Sequence, residues 1–246
     1  MTDNERFEAL CRKDMESLHF SEGIGTYKEK RLHRILKSYI TENESAYEIP
    51  IGKYVADIFE NGSITEIQTT TFQRLLPKLR FYLGETDHKI TVVCPVIRNK
   101  RIIRIDPETG EIMRSKMSPA HGTFSDILPS LYHIREVIPD RRLRIRVLLI
   151  DAEEYRYSER QRYRKEGAYD CELFPVSVAE ERIFSVPNDF SEFLPLDRES
   201  FSAAEYSKII KLRGRKLYSS LNFLCSVGLL CREKEGKKYI YHKKPI

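Results

Sequence analysis

Residues 53–72 read Lys-Tyr-Val-Ala-Asp-Ile-Phe-Glu-Asn-Gly-Ser-Ile-Thr-Glu-Ile-Gln-Thr-Thr-Thr-Phe, and they decide the fold. An apolar run (Tyr54, Val55, Ile58, Phe59) leads into Asn61-Gly62, and a second (Ile64, Ile67) follows before the pattern turns helical. Asn-Gly between two such runs is the strongest short-range hairpin signal, because a type I′ turn needs positive φ at both central residues. Strand alternation puts Asp57 on the first strand, and it puts Glu66 and Gln68 on one face of the second. A carboxylate beside an acid-x-amide pair builds a small oxygen-lined site. Mg²⁺ takes that kind of ligand set, one or two carboxylates with water or phosphate completing an octahedron.

Working outward, residues 4–19 have the spacing of an amphipathic helix (Phe7, Leu10, Cys11, Met15, Leu18). After Gly23-Ile24-Gly25, Thr26 and Glu29 form a capping-box pattern opening a helix over 27–40, with Leu32, Ile35, Leu36 and Tyr39 as its apolar stripe. Two readings of Glu29 stand side by side: the cap, or a third acid facing the hairpin. His33, four residues on, reads more simply as a helix-surface or core histidine than as a ligand. Residues 47–51 are a further strand. Downstream, a helix is expected over 72–83 with a break at Pro77. The near-continuous apolar run at 89–96 is a strand buried on both faces. This order predicts an α/β (α+β) fold: a mixed sheet with helices on its faces.

A helix bearing a glutamate, a strand with an aspartate, a hairpin partner with E-x-K or a variant, then helix and strand: residues 25–97 resemble the core of the PD-(D/E)xK nuclease superfamily. The resemblance implies a restriction-endonuclease-like core, with Asp57, Glu66 and Gln68 at the D…(D/E)-x-K positions and Glu29 at the helix acid. It implies Asp57 and Glu66 as ligands of a catalytic Mg²⁺. Gln68 stands where lysine is usual, a substitution found in a few restriction enzymes of the superfamily. An amide can orient a water but supplies no positive charge. The wider layout is similar to a prokaryotic family, of no settled activity, that joins such a core to a C-terminal winged helix.

Beyond the core, residues 101–106 and 111–113 flank Pro107-Glu108-Thr109-Gly110 and read as another hairpin. A polar loop over 115–123, a short helix over 126–135 and a strong strand over 142–150 follow. Residues 155–169 interleave tyrosines with arginines, a pattern able to hold nucleic acid. Glu159 and Glu166 within it, with Glu153 and Glu154 just before it, neutralise much of the charge, which favours a solvated loop. Residues 174–186 hold a further strand or two bounded by Pro175 and Pro187, and 188–200 is the linker candidate. The expected domains are therefore 1–195, nuclease-like with extra strands, and 200–246.

That last segment carries eleven Lys/Arg against three acids, a net +8 that leaves −3 for residues 1–200 of a chain with net charge +5. A basic tail on a mildly acidic body fits a polyanion-binding module. A helix opens at Phe201–Glu205 with Ser202 as cap. Arg213-Gly214-Arg215-Lys216 turns into a second helix burying Leu217, Leu221, Leu224 and Cys225 and ended by Gly228. Two short strands then flank a charged tip at 233–238. The run from Ser219 to Tyr241 closely resembles a winged helix-turn-helix. That resemblance implies double-stranded DNA as partner. Arg213, Arg215, Lys216, Tyr218, Ser219 and Asn222 would face the groove, and Lys234, Lys237 and Lys238 on the wing would meet phosphates.

The remaining numbers bound the class. The chain of 246 residues is 41% hydrophobic and 32% charged, a globular balance. It has no apolar run near the ~20 residues a membrane helix needs, and residues 1–6 have no signal-peptide pattern. Five scattered cysteines without a C-x-x-C pair argue against zinc and against a disulfide framework, and point to the cytoplasm. The expected function is a Mg²⁺-dependent DNA endonuclease placed on duplex DNA by the winged helix, with a homodimer left open. The alternatives are a non-catalytic DNA-binding protein with a degenerate core, or a regulator whose larger domain senses a ligand.

Overall fold

The computed structural model describes residues 3–16, 28–69, 72–106, 109–157, 171–236 and 238–245. Its helices are α1 (Asp3–Glu16), α2 (Lys28–Ile40), α3 (Leu76–Glu85), α4 (Leu128–Leu131), α5 (Ala203–Ile210) and α6 (Gly214–Ser226). Its strands are β1 (Tyr47–Ile51), β2 (Tyr54–Glu60), β3 (Ser63–Ile67), β4 (Lys89–Ile105), β5 (Ile112–Met117), β6 (Leu143–Tyr157), β7 (Cys171–Phe184), β8 (Ser200–Ser202), β9 (Leu230–Glu235) and β10 (Lys238–Lys243). The first seven strands form one mixed sheet in the order β1-β2-β3-β4-β6-β7, with β5 paired to β4. The last three form a separate antiparallel sheet, β8-β10-β9. No helix among the described residues is long and apolar enough to cross a membrane.

The chain divides into two compact units. One is drawn from Met1–Tyr47, Pro95–Thr123 and Leu148–Glu181, the other from Glu48–Cys94, Phe124–Val147 and Arg182–Ile246. In the first, α1 and α2 pair through an edge-on contact of Phe7 and Tyr39, ring centroids 5.1 Å apart. Arg31 forms an ion pair with Asp14, Nε 2.9 Å from Oδ2, and lays its guanidinium over Phe174. The strand residues of this unit are tied by cross-strand ion pairs. Arg98 grips Asp151 with Nε and Nη2 at 2.9 and 2.5 Å, and Lys100 and Arg156 both reach Glu154.

The second unit contains the Asn61-Gly62 hairpin. Asn61 and Gly62 have φ of 49° and 71°, both positive as a type I′ turn demands. β3 then runs parallel to β4, Ser63–Ile67 against Lys89–Val93, with α3 as the connection. Pro77 does not interrupt that helix. A single 3₁₀ turn (Phe72–Arg74) precedes it and Pro77 lies in its first turn, where a missing N–H costs nothing. Prolines also sit inside strands, Pro50 in the edge strand β1 among them. Pro175 lies in β7, at the edge of the sheet, and Pro95 in β4 falls beyond the end of β3 and before β5 begins, so neither removes a needed ladder bond.

Within residues 188–200, expected as a linker, the first half is packed, with Phe190, Phe193, Leu194 and Pro195 buried, while 196–200 are mostly exposed. Pro187–Phe193 forms a 3₁₀ helix, and Asp189 Oδ2 accepts the N–H groups of Ser185 and Val186 at 2.6 and 3.0 Å. The acids there cap the turn instead of solvating a tether. Phe190, 1% exposed, stacks on Phe184 at 4.8 Å and meets Phe223 of α6 edge-on at 5.0 Å. Residues 182–246 accordingly belong to one compact unit with the hairpin. Removing the Phe190 ring should cost about 3 kcal/mol. We expect Phe190→Ala to lower the urea midpoint accordingly while limited proteolysis of the wild type spares 187–194. A change below ~0.5 kcal/mol, the level of a surface substitution, would mean the segment is a solvated tether after all.

Candidate functional site

The β2–β3 register pairs Glu60 with Ser63, Phe59 with Ile64 and Ile58 with Thr65. One further step sets Asp57 opposite Glu66, and opposed residues of an antiparallel pair share a face. Asp57 Oδ2 accepts the backbone N–H of Ile67 at 2.7 Å. Glu66 is only 3% exposed. The helix α3 covers it with two side chains four residues apart, and therefore on one helical face. Lys78 Nζ donates to Glu66 Oε2 at 2.5 Å, and the Tyr82 hydroxyl donates to Oε1 at 3.3 Å. Gln68 follows at the end of β3, half-buried, its N–H bonded to Val93 O at 2.8 Å.

Several contacts fix the helix that carries Lys78 and Tyr82. Leu75 and Leu79 are buried. Arg142 donates from Nη1 to Thr86 O at 2.6 Å and from Nη2 to Leu83 O at 2.7 Å, and Asp140 holds its guanidinium. A cation on the last carbonyls of a helix both satisfies them and complements the helix dipole. At the other edge Tyr54 meets Phe81 and Tyr82, with centroids 5.4 and 6.2 Å apart. Gly52 turns the chain from β1 into β2 at φ +59°, and a Cβ there would lie 2.3 Å from Phe81 Cζ. No side chain fits at that position.

Charge separates this carboxylate from the other buried one. Burial raises the pKa of both. Glu154, 5% exposed, is nonetheless held below the usual range, because Lys100 and Arg156 both bond it. Glu66 is pushed up to about 7 by burial first and by the Asp57 carboxylate second, against the pull of Lys78 and Tyr82. One has two cations; the other has a single cation and a second acid. A closely opposed acid pair in a buried position fits a divalent cation, which relieves the repulsion directly. Each Glu66 oxygen keeps a lone pair beyond its bond to Lys78 or Tyr82. Among the described residues no three Asp, Glu, His or Cys side chains gather as a metal cluster.

Of the residues expected here, Asp57 and Glu66 come together and Gln68 lies two residues beyond Glu66. Glu29 lies in α2, in the other compact unit, and its side chain is outside the described residues, as is its pairing with Thr26. Lys78 and Tyr82 were missed. Their signal was the i, i+4 spacing on the helix that follows the hairpin.

In the C-terminal segment, Ser202 caps α5 in a capping box with Glu205: Glu205 N–H donates to Ser202 Oγ at 3.3 Å, and Ser202 N–H to Glu205 Oε2 at 2.8 Å. Residues 211–213 make the turn, and α6 begins at Gly214, two residues before its expected start. Arg213, Arg215, Lys216 and Tyr218 are exposed, and Ser219 and Asn222 half-buried. Asn222 Oδ1 accepts Arg232 Nη1 at 3.1 Å, and that guanidinium stacks on Tyr239. Lys234 and Lys238 are exposed on β9 and β10, while Lys237 lies outside the described residues. Leu217, Leu221 and Leu224 are buried with Phe223, but Cys225 is half-buried.

A mixed-sheet α/β protein with a buried glutamate opposite a half-buried aspartate, under a lysine-bearing helix, is the class these features define. The chain belongs to the family described as a domain of unknown function, DUF8091, whose model matches residues 30–185. It is also 30% identical over 162 residues to an uncharacterised protein of Treponema pallidum (strain Nichols), covering 64% of this chain and 63% of that relative. No solved structure matches. The family match takes in β1 to β7 with α3 and α4, and it ends before the C-terminal helices.

Because its pKa is raised from 4.5 to about 7, Glu66 favours the fold when protonated. Its contribution is complete below pH 4.5 and is lost as pH rises through about 7. Asp57→Asn keeps an acceptor for Ile67 N–H and removes the second acid. We expect it to gain about 1 kcal/mol at pH 8 in urea unfolding and little at pH 4. Equal effects at both pH values would show that the two carboxylates do not feel each other.

Proposed function

We propose that this protein is a divalent-metal-dependent DNA endonuclease, with Asp57 and Glu66 holding Mg²⁺. The single observation that supports this most is the arrangement of Glu66. A buried carboxylate is placed opposite a second acid when a second cation, as at Glu154, would have been the stable choice. When bound, Mg²⁺ would supply a water of lowered pKa and offset charge on the phosphoryl oxygens. The chain's own residues do the rest. Asp57, anchored on Ile67 N–H, and Glu66, anchored on Tyr82, present oxygens from adjacent strands. Gln68 orients the attacking water through its amide. Lys78 supplies, from α3, the positive charge that Gln68 lacks, beside the position where negative charge grows on phosphorus.

The C-terminal segment supports the DNA half of the reading. Helix, turn, helix and a three-stranded sheet follow the winged-helix pattern, with α6 as the reading helix. Arg213, Arg215, Lys216 and Tyr218 are exposed at its N-terminal half, and Lys234 and Lys238 on the two strands behind it. Asn222, bonded to Arg232, would reach a base only by exchanging that partner. Free thiols at Cys11, Cys94, Cys225 and Cys231 agree with a cytoplasmic setting.

A second reading draws on the 2.5 Å bond between Lys78 and Glu66. An acid already neutralised by a lysine can be a structural ion pair, and the protein then binds DNA without cutting it. Cleavage of plasmid and short duplex with Mg²⁺ or Mn²⁺ separates the two. For a nuclease, Asp57→Ala and Glu66→Gln abolish nicking and Lys78→Met lowers its rate by about 10²–10³, with Lys78→Arg restoring part. Duplex binding in EDTA stays intact in all four. At limiting Mg²⁺ the rate should climb with pH and level off near 7, as protons stop competing for Glu66. Binding without any metal-dependent cleavage would leave the second reading.

A further inference from the structure

The first unit holds a feature that neither the acid pair nor the C-terminal helices use. The end of β4 and β5 form an antiparallel ribbon, with Arg101 opposite Met117, Ile102 opposite Lys116, Ile103 opposite Ser115 and Arg104 opposite Arg114. Opposed residues share a face, and faces alternate along the strands. One face therefore carries Arg104, Arg114 and Lys116 around the buried Ile102. All three cations are exposed, and none makes a hydrogen bond or ion pair with another described residue.

Several other cations of the same sheet are paired. Arg98 is bound by Asp151, Lys100 and Arg156 by Glu154, and Arg101 lies 3.7 Å from Glu153. The ribbon instead sets two arginines directly opposite one another, which costs stability. The nearest acid on the β4 side, Asp106, accepts Thr109 N–H within the connecting turn. Glu111, exposed just before β5, forms no ion pair with them, and like charges brought together on a rigid ladder fit a ligand of high negative charge density.

We propose that this ribbon face is a second contact for duplex DNA, independent of the C-terminal segment: Arg104 and Arg114 converge on one phosphate and Lys116, two residues along β5, takes another. The chemistry favours nucleic acid over an anionic membrane. A membrane-binding element needs its apolar groups and its cations at one level. Here the exposed Met117 and, across the register shift at Arg104/Ile105, the exposed Ile112 (50% and 64%) lie on the opposite face of the ribbon from the three cations, and the exposed Met113 is the extra residue of that shift. Phosphate contacts from a ribbon carry no sequence information; they fix register and add salt-dependent affinity.

The proposal extends the DNA-binding part of the reading above and is independent of its catalytic part, so the test is run on the full chain in EDTA. Binding of a short duplex is measured as a function of salt for the wild type and for R104Q/R114Q/K116Q, with R215Q/K216Q as the comparison. Losing the contacts to two phosphates should make the log K against log salt slope shallower by about 1.8. The ribbon variant should melt no lower than the wild type, since it removes opposed like charges. The C-terminal variant should lose its own share and leave the ribbon's contribution intact. An unchanged slope in the ribbon variant, with the C-terminal variant impaired, overturns the ribbon contact while sparing the winged-helix reading. Loss of slope with no cleavage under any metal keeps the ribbon and removes only the nuclease. Capture on phosphatidylserine vesicles that the ribbon variant abolishes, with no duplex binding by the wild type, overturns the DNA assignment in favour of a lipid surface.

Discussion

Glu66 is the constraint around which the second unit is arranged. A carboxylate almost removed from water must be satisfied or protonated. Its immediate surroundings come from two other elements: Asp57 from β2, and Lys78 and Tyr82 from α3. Each needs its element in one register. A slip of one residue in the hairpin would turn Glu66 to the other face, and a rotation of α3 would withdraw the lysine and the tyrosine together. The Asn61-Gly62 turn fixes the first. The Arg142 clamp on Leu83 and Thr86, with the Phe81 ring over Gly52, fixes the second. Rigid placement of this kind is what a catalytic group requires and what an ordinary surface acid does not.

The contrast with Glu154 sharpens the point. Both are buried glutamates on strands of one sheet. Two basic partners make Glu154 a stable charge, and its surroundings ask for nothing more. With one basic partner and one acidic one, Glu66 sits near neutrality in its proton affinity, where a small change in surroundings moves it between states. Structural carboxylates are normally arranged the first way. Perturbed titration from burial and a specific charged neighbour is a mark of functional positions, though ion-pair networks also produce it.

Local signals made much of this legible in the sequence. The Asn-Gly turn, the alternation around it, the strand at 47–51 and the Ser202 capping box are dictated by residues a few positions apart, and all are present. What could not be read depended on partners distant in sequence. Pro77 looked like a break because its place relative to the helix start depends on the 3₁₀ turn before it. Pro175 looked like a boundary because the place of a strand at the sheet edge is a property of the sheet. The acidic, proline-bearing stretch after Pro187 looked like a tether, since composition cannot reveal that Phe190 finds rings at 184 and 223. Lys78 went unread because the motif directed attention to the position two residues beyond Glu66, while the nearest cation comes from a different element.

The aromatic stack of Phe184, Phe190 and Phe223 also bears on how such a protein can change over evolutionary time. The family match stops at residue 185, yet the last ring within it rests on Phe190, which in turn rests on α6. The C-terminal helices are thus not a cassette that can be deleted or exchanged at a seam. A descendant that lost them would expose a ring built for contact and would need new residues at 184 and 190 to stay soluble. Acquiring a different targeting module would require the same adjustment in reverse. Coupling through three rings makes the two halves inherit each other's constraints, so they are expected to change in step.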